Sequence, residues 1–79
     1  RRLAAVAPAT AKRLGVKSGA LIEVPALDGA SLRAWLRIDA SLPAESCAIG
    51  ASALVILGLV TGDEVELRSL KVSAIGKRG

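Results

Sequence analysis

Apolar and polar residues alternate in short stretches along this chain, and small turn-forming residues separate the stretches. Residues 32–39 are the clearest case, because every even position is apolar and the odd positions are Arg33, Trp35, Arg37 and Asp39. A period of two predicts a strand that buries one face, here the face that ends in Ile38. Over the whole chain the pattern predicts six strands, at residues 2–7, 20–26, 32–39, 46–49, 63–68 and 71–75.

Two segments without this alternation, residues 8–14 and the apolar residues 51–57, are predicted to be short helices. Pro8 stands in the first turn of the first helix, where proline is tolerated. The second segment belongs to a 13-residue apolar run, 48–60, and we expect a buried short helix there. Asp28 and Gly29 are typical of a hairpin between the second and third strands. The expected fold is therefore mainly β, with six strands and two short helices.

The two halves of the chain resemble each other at an offset of 43 residues. Residues 13–24 match residues 56–67 without a gap, and the pseudo-repeats extend over about 5–27 and 48–70, where Leu27 matches Leu70. The same two glycines stand in each copy, namely Gly15 and Gly19 in the first and Gly58 and Gly62 in the second. We predict that Gly15 and Gly58 end a helix in the left-handed conformation, and that Gly19 and Gly62 form a tight turn before a strand.

Neither half can bury its own apolar face, so the halves are expected to interlock in one domain, residues 1–79. Closing the sheet into a barrel would remove the exposed strand edges that invite aggregation. The chain is 52% apolar but has Trp35 as its only aromatic residue, so the core must be built from Ala, Val, Leu and Ile. With one cysteine, Cys47, no disulfide framework is possible.

The net charge of +4 comes from the ends of the chain, at Arg1, Arg2, Lys77 and Arg78, while basic and acidic residues balance between them. These charges are expected to be a flank or solubilising tails. A surface for single-stranded nucleic acid usually offers several aromatic stacking platforms, so nucleic acid is not the expected partner. The longest apolar run is shorter than the roughly 20 residues of a membrane span, so no membrane insertion is expected.

No signal peptide is visible, because Pro8, Thr10 and Lys12 interrupt the stretch after the basic start. We expect a cytoplasmic location. The sequence does not begin with Met, and we expect a fragment of a longer protein or a domain trimmed from one.

The matched segments that begin at Leu14-Gly15 and Leu57-Gly58 resemble the repeated element of double-psi β-barrels over nearly the whole chain. This resemblance implies a six-stranded double-psi β-barrel with an internal pseudo-two-fold repeat. The segment from Arg37 to Ala44, with Asp39 and Pro43, is similar to the molybdopterin-dinucleotide-binding carboxy-terminal domains of oxidoreductases and to the carboxy-terminal domain of the large peripheral-arm subunit of respiratory complex I. It implies a non-catalytic accessory domain of a larger oxidoreductase that docks on its parent subunit.

Two other branches of the superfamily stay open. Thr61-Gly62-Asp63 also fits the amino-terminal domains of AAA ATPases, which recognise substrates or adaptors, and swapped-hairpin transcription factors. An isolated or engineered barrel without activity is a third alternative. The aspartate decarboxylases of the superfamily need a Gly-Ser cleavage site, which this sequence lacks. Molybdopterin-binding members carry Asn, Gln or His in their loops, and none of these residues occurs here, so we expect no cofactor.

No set of residues predicts catalysis. Glu23 and Glu66 lie on the polar phase of their strands and are interpreted as solvated. One cysteine without histidine disfavours a zinc site, and Cys47 is interpreted as a small buried hydrophobe. The turns at Ser18-Gly19 and Thr61-Gly62 offer backbone N–H groups to an anion, but their repetition favours a structural role.

Trp35 remains as the candidate for function. It falls on the outward phase of its strand between Arg33 and Arg37, an arrangement typical of an interface anchor whose arginines either stack on the indole or bind an acidic group of the partner. The alternative is that Trp35 covers an end of the barrel or packs on a helix. We therefore predict an interface with a protein partner or parent subunit at Arg33, Trp35 and Arg37, and no catalytic or metal-binding residue.

Overall fold

A computed structural model describes residues 2–26, 28–68 and 70–77. Both helices begin and end at the predicted residues, and the strands differ from the prediction by one or two residues at their ends. The elements along the chain are β1 (Leu3–Val6), α1 (Pro8–Leu14), β2 (Leu21–Pro25), β3 (Ser31–Ile38), β4 (Ser46–Gly50), α2 (Ala51–Leu57), β5 (Glu64–Leu67) and β6 (Leu70–Lys77).

The six strands form one sheet in the order β2-β3-β1-β4-β6-β5. The pairs β1–β3 and β4–β6 are parallel, whereas β1–β4, β2–β3 and β5–β6 are antiparallel. The sheet curls until its two outer strands, β2 and β5, contact each other, which leaves a nearly closed barrel. The predicted mainly β, six-stranded barrel with two short helices is therefore confirmed.

The order strand, helix, strand, strand occurs twice along the chain. After each helix the chain returns in the same way: Val16 N–H donates to Ala11 O at 3.3 Å, and Leu59 N–H donates to Leu54 O at 2.9 Å. β3 and β6 correspond at a smaller offset than 43 residues, because the β2–β3 connection is longer. The sequence repeat itself stays a prediction, and the match of Leu27 with Leu70 lies outside the described residues.

Positive φ angles explain the four glycines of the matched segments. Gly15 and Gly58 follow their helices in the left-handed conformation, with φ of 71° and 77°. Gly19 and Gly62 are the third residues of β-turns closed by the N–H groups of Ala20 and Asp63, and their φ angles of 92° and 101° are those of a type II turn. Each position therefore has the backbone geometry that the sequence predicted.

The core lies inside the barrel and consists almost wholly of aliphatic side chains, as predicted. Alternation places Ile22 and Val24 of β2, and Val65 and Leu67 of β5, inside. The prediction that Ile38 lies on the buried face of β3 is wrong, because its side chain is 39% exposed. It is the last residue of β3 and lies outside the packed core cluster.

The prediction of a buried second helix is also wrong, because only one side of α2 is buried. Ala53, Leu54 and Leu57 face the core, whereas Val55 and Ile56 are 77% and 58% exposed. A helix that packs on one surface buries one stripe of its circumference, so a continuous apolar run must leave some apolar residues outside. Neither helix in the described residues has the length that crossing a bilayer requires.

Candidate functional site

The outer face of β3 carries the three predicted interface residues. Ala34 and Leu36 point into the barrel, so the alternation of the strand turns Arg33, Trp35 and Arg37 outward, and all three are exposed. The structure thus presents them on one surface, as the sequence pattern predicted. Their role as an interface stays a prediction.

Two leucines extend this surface across the neighbouring strands. In the register of the sheet, Trp35 lies opposite Leu3 of β1 on one side and Leu21 of β2 on the other. Trp35 is 37% exposed, Leu3 is 41% exposed and Leu21 is 45% exposed. We call these three residues the Trp35 row. Directly opposed side chains on one sheet face lie within contact distance, so the row forms one apolar patch.

The two arginines lie on opposite sides of the Trp35 row. Arg33 is paired in register with Glu23 of β2, and Arg37 is paired with Ala5 of β1. Neither arginine belongs to the ion pairs found within the described residues, which join Arg13 to Glu45 and Lys77 to Asp39. Charged side chains therefore border the apolar patch, as in protein interfaces that have an apolar centre and a polar rim.

A groove of about 560 Å³ lies beside the row on the outer face of the sheet. Its floor is made of small residues, because β1 and β4 place Ala5 directly opposite Ala48 and β4 ends at Gly50. Ser52 and Ala53, in the first turn of α2, also line it. We call this cavity the basic groove, since its rim carries Arg2, Arg37 and Lys77.

Asp39 is the one acidic residue among the described residues that line the basic groove. Its Oδ1 accepts hydrogen bonds from the Ser41 hydroxyl at 2.6 Å and the Ser41 N–H at 2.9 Å, and its Oδ2 lies 3.7 Å from Lys77 Nζ. The hydroxyl of Ser41 and then its N–H lower the pKa of Asp39 most; desolvation, which raises this pKa, comes next, ahead of the lowering by Lys77. Asp39 is thus a carboxylate that is already engaged by its own loop.

The groups considered for chemistry are not arranged for it. Cys47 is fully buried, and burial raises the pKa of its thiol to about 12, so a nucleophilic thiolate is disfavoured. Glu23 and Glu66 are exposed, as predicted. Within the described residues no group of three or more potential metal ligands occurs.

The turn N–H groups that were considered as anion donors are engaged in the barrel. Gly19 N–H donates to Leu36 O at 2.7 Å, and Gly62 N–H donates to Ala74 O at 2.9 Å. The reciprocal bonds run from Leu36 N–H to Ala20 O and from Ala74 N–H to Asp63 O. These hydrogen bonds attach each turn to a strand, which supports the structural interpretation of both turns.

Sequence reasoning missed the leucines of the row and most of the basic groove. Leu3 and Leu21 did carry a signal, because each is apolar at a position that its strand turns outward. That they flank Trp35 depends on the register of β1 and β2, which the sequence does not contain. The groove likewise depends on the pairing of Ala5 with Ala48, which brings together two distant segments.

Comparisons of this chain with protein-family models, with curated proteins and with solved structures give no match.

Proposed function

We propose that this chain is a non-catalytic binding domain that docks on a parent or partner protein through the Trp35 row and its two arginines. The observation that carries the proposal is the row itself, three large apolar side chains exposed side by side on the outside of a barrel. The core of the barrel is built from other, mainly aliphatic side chains, and Trp35 lies outside it. Tryptophan and arginine are the residues most enriched among those that dominate binding energy at protein interfaces.

The narrower proposal is an accessory domain of a larger oxidoreductase of the molybdopterin type, such as a subunit of a respiratory NADH dehydrogenase. Its support is the resemblance of the segment from Arg37 to Ala44. In the structure this segment is the end of β3 and the loop after it, where Asp39 accepts two hydrogen bonds from Ser41. The segment thus lies next to the proposed docking surface. The double-psi assignment belongs to the same proposal.

The parent sequence separates this proposal from a recognition domain of an AAA ATPase. Iron–sulfur cysteine motifs upstream of residue 1 would support the oxidoreductase, whereas a Walker motif downstream of residue 79 would support the ATPase. A parent sequence that contains neither motif would count against both the oxidoreductase and the ATPase. An isolated barrel would then be the better description.

The docking surface is tested by replacing Trp35 in the isolated domain. If Trp35 serves docking, Trp35→Ala should lower the free energy of unfolding by at most about 2 kcal/mol, the value of its two cross-strand pairs with Leu3 and Leu21. If Trp35 is a structural residue, the loss should be about 3–5 kcal/mol, as for tryptophans in cores. Val55→Ala, which truncates an exposed residue on α2, is the matched control.

Fluorescence supplies an independent readout, because Trp35 is the only tryptophan of the chain. A docking residue should emit at long wavelength and be quenched by acrylamide in the isolated domain. A blue emission that acrylamide does not quench would contradict the proposal.

A further inference from the structure

The basic groove has an excess of positive charge that the domain itself does not neutralise. Three cationic residues from separate segments reach it: Arg2 precedes β1, Arg37 lies on β3, and Lys77 ends β6. Among the described residues, Asp39 is the one carboxylate that lines the groove; it is engaged by Ser41, and Lys77 is the one cation within 4 Å of it. Within the described residues, the side chains of Arg2 and Arg37 make no hydrogen bond and no ion pair. Two guanidinium groups are thus available to an anionic ligand.

The shape of the groove favours an extended segment of protein over a small molecule. Small-molecule sites are concave and bury most of their ligand, whereas this groove is open along the outside of a sheet. Ala5 and Ala48 on its floor are small and almost fully buried, so a bound ligand contacts mainly the side chains of the rim. An extended segment of protein can cross the groove and contact the charged side chains of its rim.

The groove and the Trp35 row are continuous, because Leu3 belongs to both. A bound segment that places a carboxylate at the guanidinium groups therefore has an apolar surface within reach of its next side chains. Single-stranded nucleic acid fits this surface less well, since base stacking needs aromatic platforms and the chain has Trp35 alone.

We propose that the basic groove binds an acidic segment of a partner protein, with a carboxylate at Arg2 and Arg37 and a neighbouring apolar side chain on Leu3 and Trp35. This inference rests on the proposed function, since the segment belongs to the partner that docks on the Trp35 row. It adds to that function the charge of the partner and the part of the barrel that recognises it.

The test uses the peptide acetyl-Leu-Asp-Glu-Leu-Asp-Glu-amide and its uncharged isostere, in which Asn and Gln replace Asp and Glu. Each is titrated into the ¹⁵N-labelled domain, and amide chemical shifts are followed. The acidic peptide should shift the amides of residues 3–5, 35–37 and 48–50, and the isostere should bind at least about fivefold more weakly. Equal binding of the two peptides would overturn the proposal.

Charge reversals locate the site. Arg37→Glu and Arg2→Glu should each weaken the acidic peptide at least about fivefold, because each replaces an attraction with a repulsion. Lys12→Glu makes the same change in net charge on the exposed face of α1 and should change the affinity by less than about twofold. If Lys12→Glu weakens binding as much as Arg37→Glu, the peptide senses net charge alone and the proposal is wrong.

Two further probes check the class of partner. Hexathymidylate and phosphatidylserine vesicles are titrated into the domain and into its Arg37→Glu variant. Binding of either probe that is tighter than that of the acidic peptide and that Arg37→Glu abolishes would overturn the proposal in favour of a nucleic acid or a membrane. Binding of both probes that is weaker than that of the acidic peptide, and that Arg37→Glu does not abolish, would support the acidic peptide as the specific ligand.

The same measurements separate this proposal from the broader one. If Trp35→Ala weakens the acidic peptide but Arg37→Glu and Lys12→Glu have equal effects, docking on the Trp35 row stands and the role of the groove fails. If Trp35→Ala unfolds the domain, the broader proposal fails as well.

Discussion

The backbone N–H of Gly76 donates a hydrogen bond to the hydroxyl oxygen of Thr61 at 2.8 Å. Thr61 stands in the turn before β5, and Gly76 stands near the end of β6, so the bond ties the turn to the last strand. A Cβ atom on Gly76 would lie 2.9 Å from Thr61 Oγ1 and 3.1 Å from Leu54 Cδ1. The absence of a side chain at residue 76 therefore allows the threonine to approach the strand.

Gly76→Ala tests this contact. Alanine in a strand is usually more stable than glycine by roughly 0.5–1 kcal/mol, but the clash with Thr61 opposes that gain. Overpacking costs about 1–3 kcal/mol, so we expect a net loss of stability in chemical denaturation. In a Thr61→Ala background the nearest clashing atom is gone, and the same substitution should cost clearly less. Additive effects of the two substitutions would contradict the contact, since residues that touch are expected to couple.

Gly15 and Gly50 make a matched pair for the effect of φ alone. An added Cβ would have nothing within 4 Å at either glycine, but Gly15 has φ of 71° and Gly50 has φ of −54°. Gly15→Ala should therefore lower the free energy of unfolding by about 1–2 kcal/mol, the cost of a left-handed residue with a side chain. Gly50→Ala should be neutral or slightly stabilising. Thermal unfolding of the two variants measures the difference, and equal effects would show that Gly15 is not a strained position.

Cys47 should make the stability of the domain depend on alkaline pH. Its pKa is about 12 in the folded barrel because of burial, whereas an unfolded chain has a thiol pKa of about 8.5. Between these values the unfolded state has lost the proton that the folded state keeps. The free energy of unfolding should therefore fall as pH rises, by at most about 1.4 kcal/mol per pH unit, and should be unaffected by this group at lower pH.

Urea denaturation of the wild-type domain and of Cys47→Ala between pH 7 and pH 11 tests this effect. The difference between the two proteins removes the contribution of the lysines, which both contain. Wild-type stability should fall more steeply than that of the variant above about pH 8.5. Curves that stay parallel over the whole range would mean that the thiol ionises equally in both states.

Ser41 should control the pKa of Asp39 more than Lys77 does. The hydroxyl of Ser41 makes the 2.6 Å bond to the carboxylate and is the largest of the groups that lower its pKa. Ser41→Ala should raise the pKa of Asp39 toward its ordinary value, and Lys77→Gln should raise it less. The folded pKa is lowered, so any stability that Asp39 contributes is present above the unfolded pKa and is lost as pH falls through the folded one. Titration of the side-chain carboxyl by ¹³C NMR measures both shifts, and the reverse order would contradict the arrangement.

Local signals predicted the elements well, because each signal acts within a few residues. Pro8 and Gly15 mark the two ends of α1 by their backbone preferences, and the period of two marks the inside of β3 up to Leu36. The exposure of Ile38 was not predicted, since it depends on where the barrel ends rather than on the strand. The same holds for the Trp35 row and the basic groove, which exist only because β1 pairs with both β3 and β4. Such non-local register carries no signal in a single sequence.

The exposed apolar residues of α2 give a final prediction, because the other half of the chain carries different residues at the matching positions. At the offset of 43 residues, Lys12 and Arg13 of α1 stand where α2 has Val55 and Ile56, and all four are exposed. The fold therefore does not require apolar side chains at these positions. The double variant Val55→Lys with Ile56→Arg should have a free energy of unfolding within about 0.5 kcal/mol of the wild-type value, as is usual for surface substitutions. Leu54→Lys, which places a charge in the core on the same helix, is the control that should unfold the domain. A large loss of stability in the double variant would mean that Val55 and Ile56 pack more closely in solution than their exposure indicates.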